Sequence, residues 1–539
     1  MRRFLPHLGW SALSAILMVL SVPRFDLWPL MWVALVPALH VSLTSERPRH
    51  AFWMGWFMGA LANTIAFWWM RGLLERFGHM PAWQAFPVML LLTIYQGLEF
   101  GLWTWLLHVL AKRCPTVRKA WLAPAVMVAI ELLVPQIFPF YLAISQAWVL
   151  PVIQIAELTG PMGISFVLVM SVGALYDAGR IASRERDPAR QGQLAGLAWK
   201  SGARALMVPA LIMAAVLGYG GIRIHQVDAR RNAAAHARVG IVQANVGIQE
   251  KWDPAESARL LDLHKQQSAD LVNRGADLLV WPESSYPYAL PRDFGQDYPA
   301  GDPRRIGGAV GKPMVFGAVT LAHDRSAGKD RFPYNTAFMM DGKERVTGHY
   351  DKIFLLIFGE YIPFYDAIPW FTKLVPEASN FSRGDTVTSF PFERNGTTYR
   401  IGPLICYEDI LAGFSRRVAA ENPNLLVNIT NDAWFGKTAE PYQHLALSVF
   451  RSVEHRLDMV RAVNTGVSAH VDATGRVHAT LDAVDVDGIP APGPTSLMAD
   501  VALMNRGGLY VHVGDAFAMA CVAFLAVLWV RSRRQALGR

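Results

Sequence analysis

The sequence predicts two parts of different fold class, a multi-span α-helical membrane bundle with about eight transmembrane helices and an external α/β domain. The chain is 52% hydrophobic with 18 Trp among 539 residues, which is typical of a membrane protein. Its long apolar stretches fall in the first 222 residues and near the C-terminus. Between them, from about 236 to 508, short β-rich runs alternate with helical stretches. This alternation predicts a layered α/β domain with a largely buried sheet.

Eight stretches are candidates for transmembrane helices, each of which needs about 20 mostly apolar residues. They are 8–22, 26–44, 51–70, 85–111, 120–139, 150–176, 205–222 and 510–530. The first resembles a signal peptide, but no convincing small-residue cleavage site follows it, so we interpret it as a retained helix. The predicted domains are therefore 1–222 with helices one to seven, 236–508 outside the membrane, 510–530 as helix eight, and a cytoplasmic tail at 531–539.

Basic residues in the short loops predict the orientation. They occur in alternate loops, whereas the other loops carry little charge: Arg2, Arg3, Arg47, Arg49, Lys112, Arg113, Arg118, Lys119, Arg180, Arg184, Arg186, Arg190, Lys200, Arg204, Arg531, Arg533, Arg534 and Arg539. Loops rich in Lys and Arg stay in the cytoplasm. Both termini are thus predicted to be cytoplasmic and the large domain to lie outside, which in a bacterium is the periplasmic side of the inner membrane. The net charge of +8 mainly reflects this bias, and no nucleic-acid partner is predicted.

Within the α/β region, strands are predicted at 237–246, 277–281, 313–320, 335–341, 345–352, 397–406, 424–430 and 466–471. Helices are predicted near 254–274, 303–310, 409–421 and 441–456, and 483–497 is predicted to be a loop. Asp341-Gly342, Asn395-Gly396 and Thr474-Gly475 separate β-like runs and predict hairpin turns.

Cys406 is the only cysteine of the predicted external domain. Cys114 lies in a basic loop and Cys521 in the last apolar stretch. An oxidising compartment favours disulfides, yet Cys406 has no partner for one within its domain. A lone thiol in this position is either an inert buried side chain or a nucleophile, and both interpretations remain open at this point.

Three polar residues directly follow or end apolar strands, where open α/β sheets place their chemistry. Glu283 follows the apolar run 278–282. Lys352 comes at the end of the run that begins at residue 346, directly after Asp351, and Cys406 follows the run 401–405. Separately, they could be a loop carboxylate, a surface lysine and a small core residue. Together they match acyl transfer to a thiol, in which a carboxylate accepts the thiol proton and an ammonium stabilises the oxyanion.

The segments around these residues resemble the nitrilase (carbon–nitrogen hydrolase) superfamily, whose Glu-Lys-Cys triad occurs in the same chain order. They are Trp281-Pro282-Glu283, Tyr350-Asp351-Lys352 and Ile405-Cys406-Tyr407-Glu408. Seven apolar stretches, an external domain and one closing stretch make nearly the whole chain similar to the apolipoprotein N-acyltransferase family. Further matching segments are Gln243-Ala244-Asn245, Lys251-Trp252-Asp253-Pro254, Phe358-Gly359-Glu360-Tyr361 and Asn431-Asp432-Ala433-Trp434-Phe435-Gly436.

The resemblance implies an α-β-β-α sandwich and assigns roles to residues of this chain. Glu283 is expected to be the base, Lys352 the oxyanion stabiliser and Cys406 the nucleophile. The supporting and substrate-binding residues are expected to be Trp252, at a lipid contact or the entrance, Glu360, Tyr407 and Glu408 in the pocket, and Trp434 and Phe435 lining the site. One departure from the family pattern is Ile357, which stands where a proline is usual.

The implied reaction moves an acyl chain from a phospholipid, through a cysteine thioester, to the N-terminal diacylglyceryl-cysteine of an apolipoprotein. The apolar loop 353–371, next to Lys352, predicts an entrance that faces the lipid bilayer. One alternative is a membrane-tethered amidase or nitrilase-type hydrolase with water as acceptor. The other is a non-enzymatic transporter or sensor with an external binding domain.

The sequence predicts neither a metal nor another cofactor. His264, His444 and His455 have no partners at a spacing typical of metal ligands. Glu99, Glu131, Glu157 and Asp515 lie within or near the apolar stretches, where they could form a transport path or cap helices at the interfaces.

Overall fold

The computed structural model describes residues 4–76, 78–185, 195–307, 310–324, 329–357, 359–361, 381–483, 493 and 495–537. The chain divides into two compact units. The first comprises Met1–Arg71, Ala82–His225 and His512–Arg539, and the second comprises Gly72–Pro81 and Gln226–Val511. Phe358 and residues 362–371 of the predicted lipid-facing loop lie outside the described residues, as do Arg2, Arg3, Arg186, Arg190 and Arg539 of the orientation argument.

The α-helices, in chain order, are α1 Phe4–Ser21, α2 Met31–Ala34, α3 Val36–Thr44, α4 Pro48–Ala66, α5 Trp69–Arg76, α6 Ala82–Arg113, α7 Lys119–Leu133, α8 Leu150–Ile153, α9 Ala156–Thr159, α10 Pro161–Glu185, α11 Ala195–Ala233, α12 Ile248–Lys251, α13 Ser257–Asn273, α14 Ala412–Ala420, α15 Glu440–His455, α16 Tyr510–Val513 and α17 Ala516–Leu537. The first unit is built mainly from α1 to α4, α6 to α10, most of α11, and α17.

Four helices among the described residues are long and apolar enough to cross a membrane. They are Ala82–Arg113, Pro161–Ile181, Ala205–Ala233 and Ala516–Gln535, and they indicate a membrane protein. The predicted span 150–176 is interrupted at Gly160, whose φ of 64° separates α9 from α10. The predicted span 26–44 is similarly divided between α2 and α3 at Leu35. The count of eight spans is therefore not confirmed and stays a prediction.

The second unit contains two β-sheets. Its strands are β1 Ala235–Gln243, β2 Leu278–Val280, β3 Tyr286–Pro291, β4 Met314–Asp324, β5 Lys329–Met340, β6 Val346–Asp351, β7 Phe390–Arg394, β8 Thr397–Ile405, β9 Leu425–Thr430, β10 Met459–Val463, β11 Gly466–Val471, β12 Val477–Ala483 and β13 Thr495–Leu503. One sheet has the order β13-β1-β2-β4-β5-β6, with β3 paired to β4. The other has the order β12-β11-β10-β9-β8-β7.

The two sheets pack face to face with helices outside them. Strand β1 packs against β10 of the other sheet, while α13 packs against β1, β3 and β13. On the second sheet, α14 packs against β8 and α15 against β11. Strands β9, β10 and β11 are buried at every position, as expected for strands covered on both faces. The layers agree with the α-β-β-α sandwich that the resemblance implies.

The predicted hairpin turns agree with the structure better than the predicted helix near 303–310 and the predicted loop 483–497 do. All three predicted turns join antiparallel neighbours, β5 to β6, β7 to β8 and β11 to β12. The predicted helix near 303–310 is wrong for residues 303–306, which form turns and irregular structure, and residues 308–309 lie outside the described ones. The predicted loop 483–497 is also wrong at its end, where β13 begins at Thr495 and pairs with β1. Its residues 484–492 and 494 lie outside the described ones.

Candidate active site

Three strand ends bring the three predicted catalytic residues towards one region of the second unit. Glu283 comes three residues after β2, and Lys352 comes directly after β6 in the same sheet. Cys406 comes directly after β8 in the other sheet. The site therefore draws a carboxylate and an amine from one layer of the sandwich and a thiol from the other.

Lys352 connects two carboxylates. Its Nζ lies 2.8 Å from Oε1 of Glu360 and 3.3 Å from Oε1 of Glu283, and its side chain is buried. Burial opposes the charge of this amine, but the carboxylates of Glu360 and Glu283 outweigh that effect and raise the pKa of Lys352 well above its usual value. Lys352 is accordingly a fixed ammonium ion at neutral pH.

Asn335 is a buried residue of this site that the sequence interpretation missed. Its Nδ2 donates hydrogen bonds to Oε1 of Glu283 at 2.6 Å and to Oε1 of Glu360 at 3.1 Å. Its main-chain carbonyl accepts from the amide of Lys352 at 2.8 Å. Asn335 thus aligns both carboxylates and the lysine. An asparagine within an apolar strand was the available signal.

Cys406 stands at a strained turn. Its φ of 52° lies in the left-handed region, which a residue with a Cβ seldom adopts, and it begins a short 3₁₀-helix, Cys406–Ile410. The side-chain amide of Asn428 donates to the Cys406 carbonyl at 3.0 Å and holds this turn. Such strain is stored where the surrounding structure determines the conformation, and it often marks functional residues.

The electrostatic surroundings of Cys406 disfavour a preformed thiolate. Burial raises the pKa of the thiol well above its ordinary value, and the carboxylates of Glu283, Glu360 and Asp432 raise it further. Lys352 acts in the opposite direction. The thiol therefore keeps its proton at rest, and a nucleophilic attack requires a base that removes the proton during the reaction.

Glu408 is completely buried and accepts hydrogen bonds from both layers. Its Oε1 accepts from the Tyr350 hydroxyl at 2.7 Å and from the amides of Ile353 and Phe354 at 2.8 and 3.0 Å. Its Oε2 accepts from the amide of Ile405 at 2.9 Å. Burial raises the pKa of Glu408 to about 7 despite these donors. Glu408 holds the turn that carries Cys406 and the segment that follows Lys352.

Comparison with known proteins matches both parts of the chain. The family model of the apolipoprotein N-acyltransferase N-terminal domain matches residues 14–174, and the carbon–nitrogen hydrolase model matches residues 238–486. The apolipoprotein N-acyltransferase of Geobacter metallireducens is 31% identical over 526 residues, covering 96% of this chain and 94% of that protein. The chain belongs to the apolipoprotein N-acyltransferase family. It is an acyltransferase, so the transporter or sensor alternative is wrong.

Two further proteins show the range of similarity. The apolipoprotein N-acyltransferase of Bdellovibrio bacteriovorus is 29% identical and covers 87% of this chain and 84% of its own length. A crystal structure of an amidase from Nesterenkonia sp. is 18% identical with a TM-score of 0.32. It covers 50% of this chain and 91% of its own. The family assignment depends on the sequence matches and not on this structural likeness.

The remaining predicted site residues of the enzyme differ in exposure. Trp252 is 52% exposed, which suits an entrance better than a pocket wall. Tyr407 and Trp434 are half-buried, and burial raises the pKa of the Tyr407 hydroxyl above its usual range. Phe435 is buried, and its main-chain carbonyl accepts a hydrogen bond from Arg76 at 3.0 Å. The expected roles of these four residues stay predictions.

A charged network lies beside the Cys406 turn. His444 bridges two aspartates, with Nε2 2.9 Å from Asp409 Oδ1 and Nδ1 3.2 Å from Asp432 Oδ1, and Arg461 pairs with Asp409. Burial and Arg461 lower the pKa of His444, but the two aspartates outweigh them and raise it to about 10. Asp432, Glu440 and His444 are grouped closely enough for a metal ion. These residues also form ion pairs with one another and with Asp409, and the absence of a metal stays a prediction.

The described part of the apolar loop, residues 353–357, directly follows Lys352 in the site. Ile353 is buried, and residues 354–357 are half-buried. Ile357, at the position where the family usually has proline, forms an isolated bridge with Tyr361. The main-chain amide of Leu356 donates to Oε2 of Glu360 at 2.8 Å. The loop thereby orients the second carboxylate of the site.

Proposed function

We propose that this enzyme transfers an acyl chain from a phospholipid, through a thioester on Cys406, to the α-amino group of the N-terminal diacylglyceryl-cysteine of apolipoproteins. The observation that carries the proposal is the buried Lys352, held between Glu283 and Glu360, within electrostatic reach of the Cys406 thiol. The names of the relatives support the lipoprotein as acceptor.

In the first step, Cys406 Sγ attacks the carbonyl carbon of the phospholipid ester, and its proton moves to the Glu283 carboxylate. Lys352 stabilises the negative charge on the carbonyl oxygen, an effect that typically contributes about 10²–10³ in rate. The carbon–oxygen bond then breaks, and Glu283 returns the proton to the departing oxygen. The products are an acyl thioester on Cys406 and a lysophospholipid.

In the second step, the acceptor's neutral α-amino nitrogen attacks the thioester carbonyl. Glu283 accepts a proton from this nitrogen, the carbon–sulfur bond breaks, and the proton goes to the Cys406 sulfur. An ester and an amine have then become an amide and an alcohol, with no cofactor consumed. The kinetics are ping-pong, because the first product leaves before the acceptor reacts.

The supporting residues act around this core. Glu360 orients Lys352, Glu408 and Tyr407 shape the Cys406 turn, and Trp434 and Phe435 line the acyl pocket. Trp252 and the described start of the apolar loop, residues 353–357, lie at the entrance for the acyl chain.

The proposed topology has eight spans, with residues 1–222 holding seven, 510–530 the eighth, and 531–539 a cytoplasmic tail. Both termini are cytoplasmic, and residues 236–508 lie in the periplasm beside the inner membrane. The positive-inside rule supports this orientation.

The decisive experiment uses the three cysteines of the chain. Purified enzyme in detergent is incubated with acyl-labelled phospholipid, quenched in acid and digested, and the adduct is located by mass spectrometry. We expect a hydroxylamine-sensitive adduct at Cys406 in the wild type and in the Cys114→Ala/Cys521→Ala double variant, but none in Cys406→Ala. Diacylated peptide added before the quench should remove the label and become N-acylated. Release of free fatty acid instead would identify a hydrolase, and a wild type without any adduct would refute the thioester.

A further inference from the structure

A second buried lysine lies next to the proposed base. Lys251 ends the short helix α12, directly before the exposed Trp252, and is only 9% exposed. Its Nζ donates a hydrogen bond to the main-chain carbonyl of Glu283 at 2.8 Å. An ammonium donor is stronger than a neutral one, and a buried lysine is costly unless its charge is used. Lys251 therefore acts on the backbone of the catalytic carboxylate.

The backbone around Glu283 is also restricted by the neighbouring strand β4 and by the conformation of Ser284. A Cβ at Gly317 would lie 2.5 Å from the Ser284 amide nitrogen and 2.8 Å from the Glu283 Cα, so β4 runs immediately beside this segment. Ser284 has a φ of 46°, in the left-handed region. A residue in that conformation persists only where its neighbours determine it. The Lys251 hydrogen bond is one of the contacts that do so.

The charge of Lys251 also reaches the nucleophile. Burial lowers the pKa of Lys251 to about 8, whereas the negative charges of Glu283 and of an ionised Cys406 act to raise it. Among the described residues that line the small cavity beside Lys251, His264 is the other titratable group, and burial lowers its pKa to about 4. His264 is thus neutral at neutral pH, and Lys251 supplies the positive charge here.

We propose that Lys251 is a positioning residue that fixes the main chain of Glu283 and supplies, besides Lys352, a second positive charge for the Cys406 thiolate as it forms. This inference rests on the proposed function for its effect on turnover. Its effect on the thiol is independent of any acyl donor. Lys251 touches neither the acyl group nor the acceptor in this role.

The test compares Lys251→Met, which removes donor and charge, with Lys251→Gln, which keeps a donor but no charge. Lys265→Met is the matched control, because Lys265 pairs with Asp262 on the outer face of α13. The first readout is the rate of iodoacetamide alkylation at Cys406 against pH, followed by mass spectrometry. The second is kcat and KM for phospholipid, and thermal unfolding checks the fold.

We expect both Lys251 variants to shift the alkylation profile of Cys406 to higher pH by about one unit. Lys251→Met should lower kcat more than tenfold with KM within twofold, and Lys251→Gln should recover part of that loss. Profiles and kcat equal to those of Lys265→Met would overturn the inference. If Lys251→Met does not fold, an unshifted profile in Lys251→Gln overturns the role of the charge. If the Lys251 variants shift the alkylation profile of Cys406 but the wild-type enzyme shows no transfer activity, the proposed function is refuted and the inference about Lys251 stands.

Discussion

The Tyr350 hydroxyl donates a hydrogen bond to the Glu408 carboxylate at 2.7 Å and thereby ties β6 of one sheet to the turn after β8 of the other. Tyr350 lies two residues before Lys352, and Glu408 lies two residues after Cys406. The bond therefore helps to set the separation of Lys352, the proposed oxyanion stabiliser, from Cys406, the proposed nucleophile. Both partners are buried, so neither can exchange this bond for one with water.

Glu408→Gln should strongly reduce transfer although it only replaces one carboxylate oxygen by an amide group. The groups that contact the Glu408 carboxylate are all donors, so either orientation of the amide turns an N–H towards another N–H or O–H. We expect transfer to fall more than tenfold and stability by about 2 kcal/mol, measured by acyl transfer and thermal unfolding in detergent. Glu421→Gln, on the exposed end of α14, is the control. Full activity in Glu408→Gln would contradict this role.

Gly317→Ala should displace Glu283, the proposed base. The added Cβ would meet Ser284 N, Pro282 O and Glu283 Cα within 2.8 Å, and main-chain atoms cannot turn away as a flexible side chain could. We expect a loss of transfer exceeding tenfold and a stability cost of about 1–3 kcal/mol. Gly413→Ala on α14 meets nothing within 4 Å and should be neutral or slightly stabilising. Equal activity of the two variants would show that the close approach is unimportant.

Asn335→Asp should make the thiol harder to ionise. The new carboxylate would face Glu283 and Glu360, where Asn335 now donates hydrogen bonds, and would add negative charge near Cys406. We expect slower alkylation of Cys406 at about pH 8, near the ordinary pKa of a thiol, and transfer reduced more than tenfold. Asn395→Asp, in the β7–β8 turn, adds the same charge away from the site and serves as control. An unchanged alkylation rate would show that charge at position 335 does not affect the ionisation of Cys406.

His444→Gln should change how stability depends on pH. The pKa of His444 is raised to about 10, so its contribution is complete below its unfolded value of about 6.5 and is lost as pH rises towards 10. The facing groups are Asp409, Asp432, Glu440 and Arg461. We expect the difference in unfolding temperature between wild type and variant to be largest near pH 6 and to shrink towards pH 10. A difference in unfolding temperature that does not change with pH would contradict a charged His444. The same trend in the control His349→Gln, at an exposed histidine, would also contradict it.

Some parts of the site were predictable because they are local in sequence. Glu283, Lys352 and Cys406 each follow a run of strand residues, and a strand end can be recognised from a few neighbours. Asn335 and Lys251 were missed as contributors because their partners are 52 and 32 residues away, respectively. His444 was interpreted without its partners Asp409 and Asp432, since a helical residue carries no sign of what it will face across the fold.

The sequence by itself determined the two-part organisation, the strand ends that carry the thiol, carboxylate and amine, and the family. Periodicity, apolar length and short motifs are properties of neighbouring residues, so they can be read before folding. Only the tertiary structure decided that Asn335 bridges two carboxylates, that Glu408 joins both sheets, and that desolvation and nearby carboxylates raise the pKa of the Cys406 thiol. Those features depend on distances and desolvation between distant segments, which exist only once the two sheets have packed.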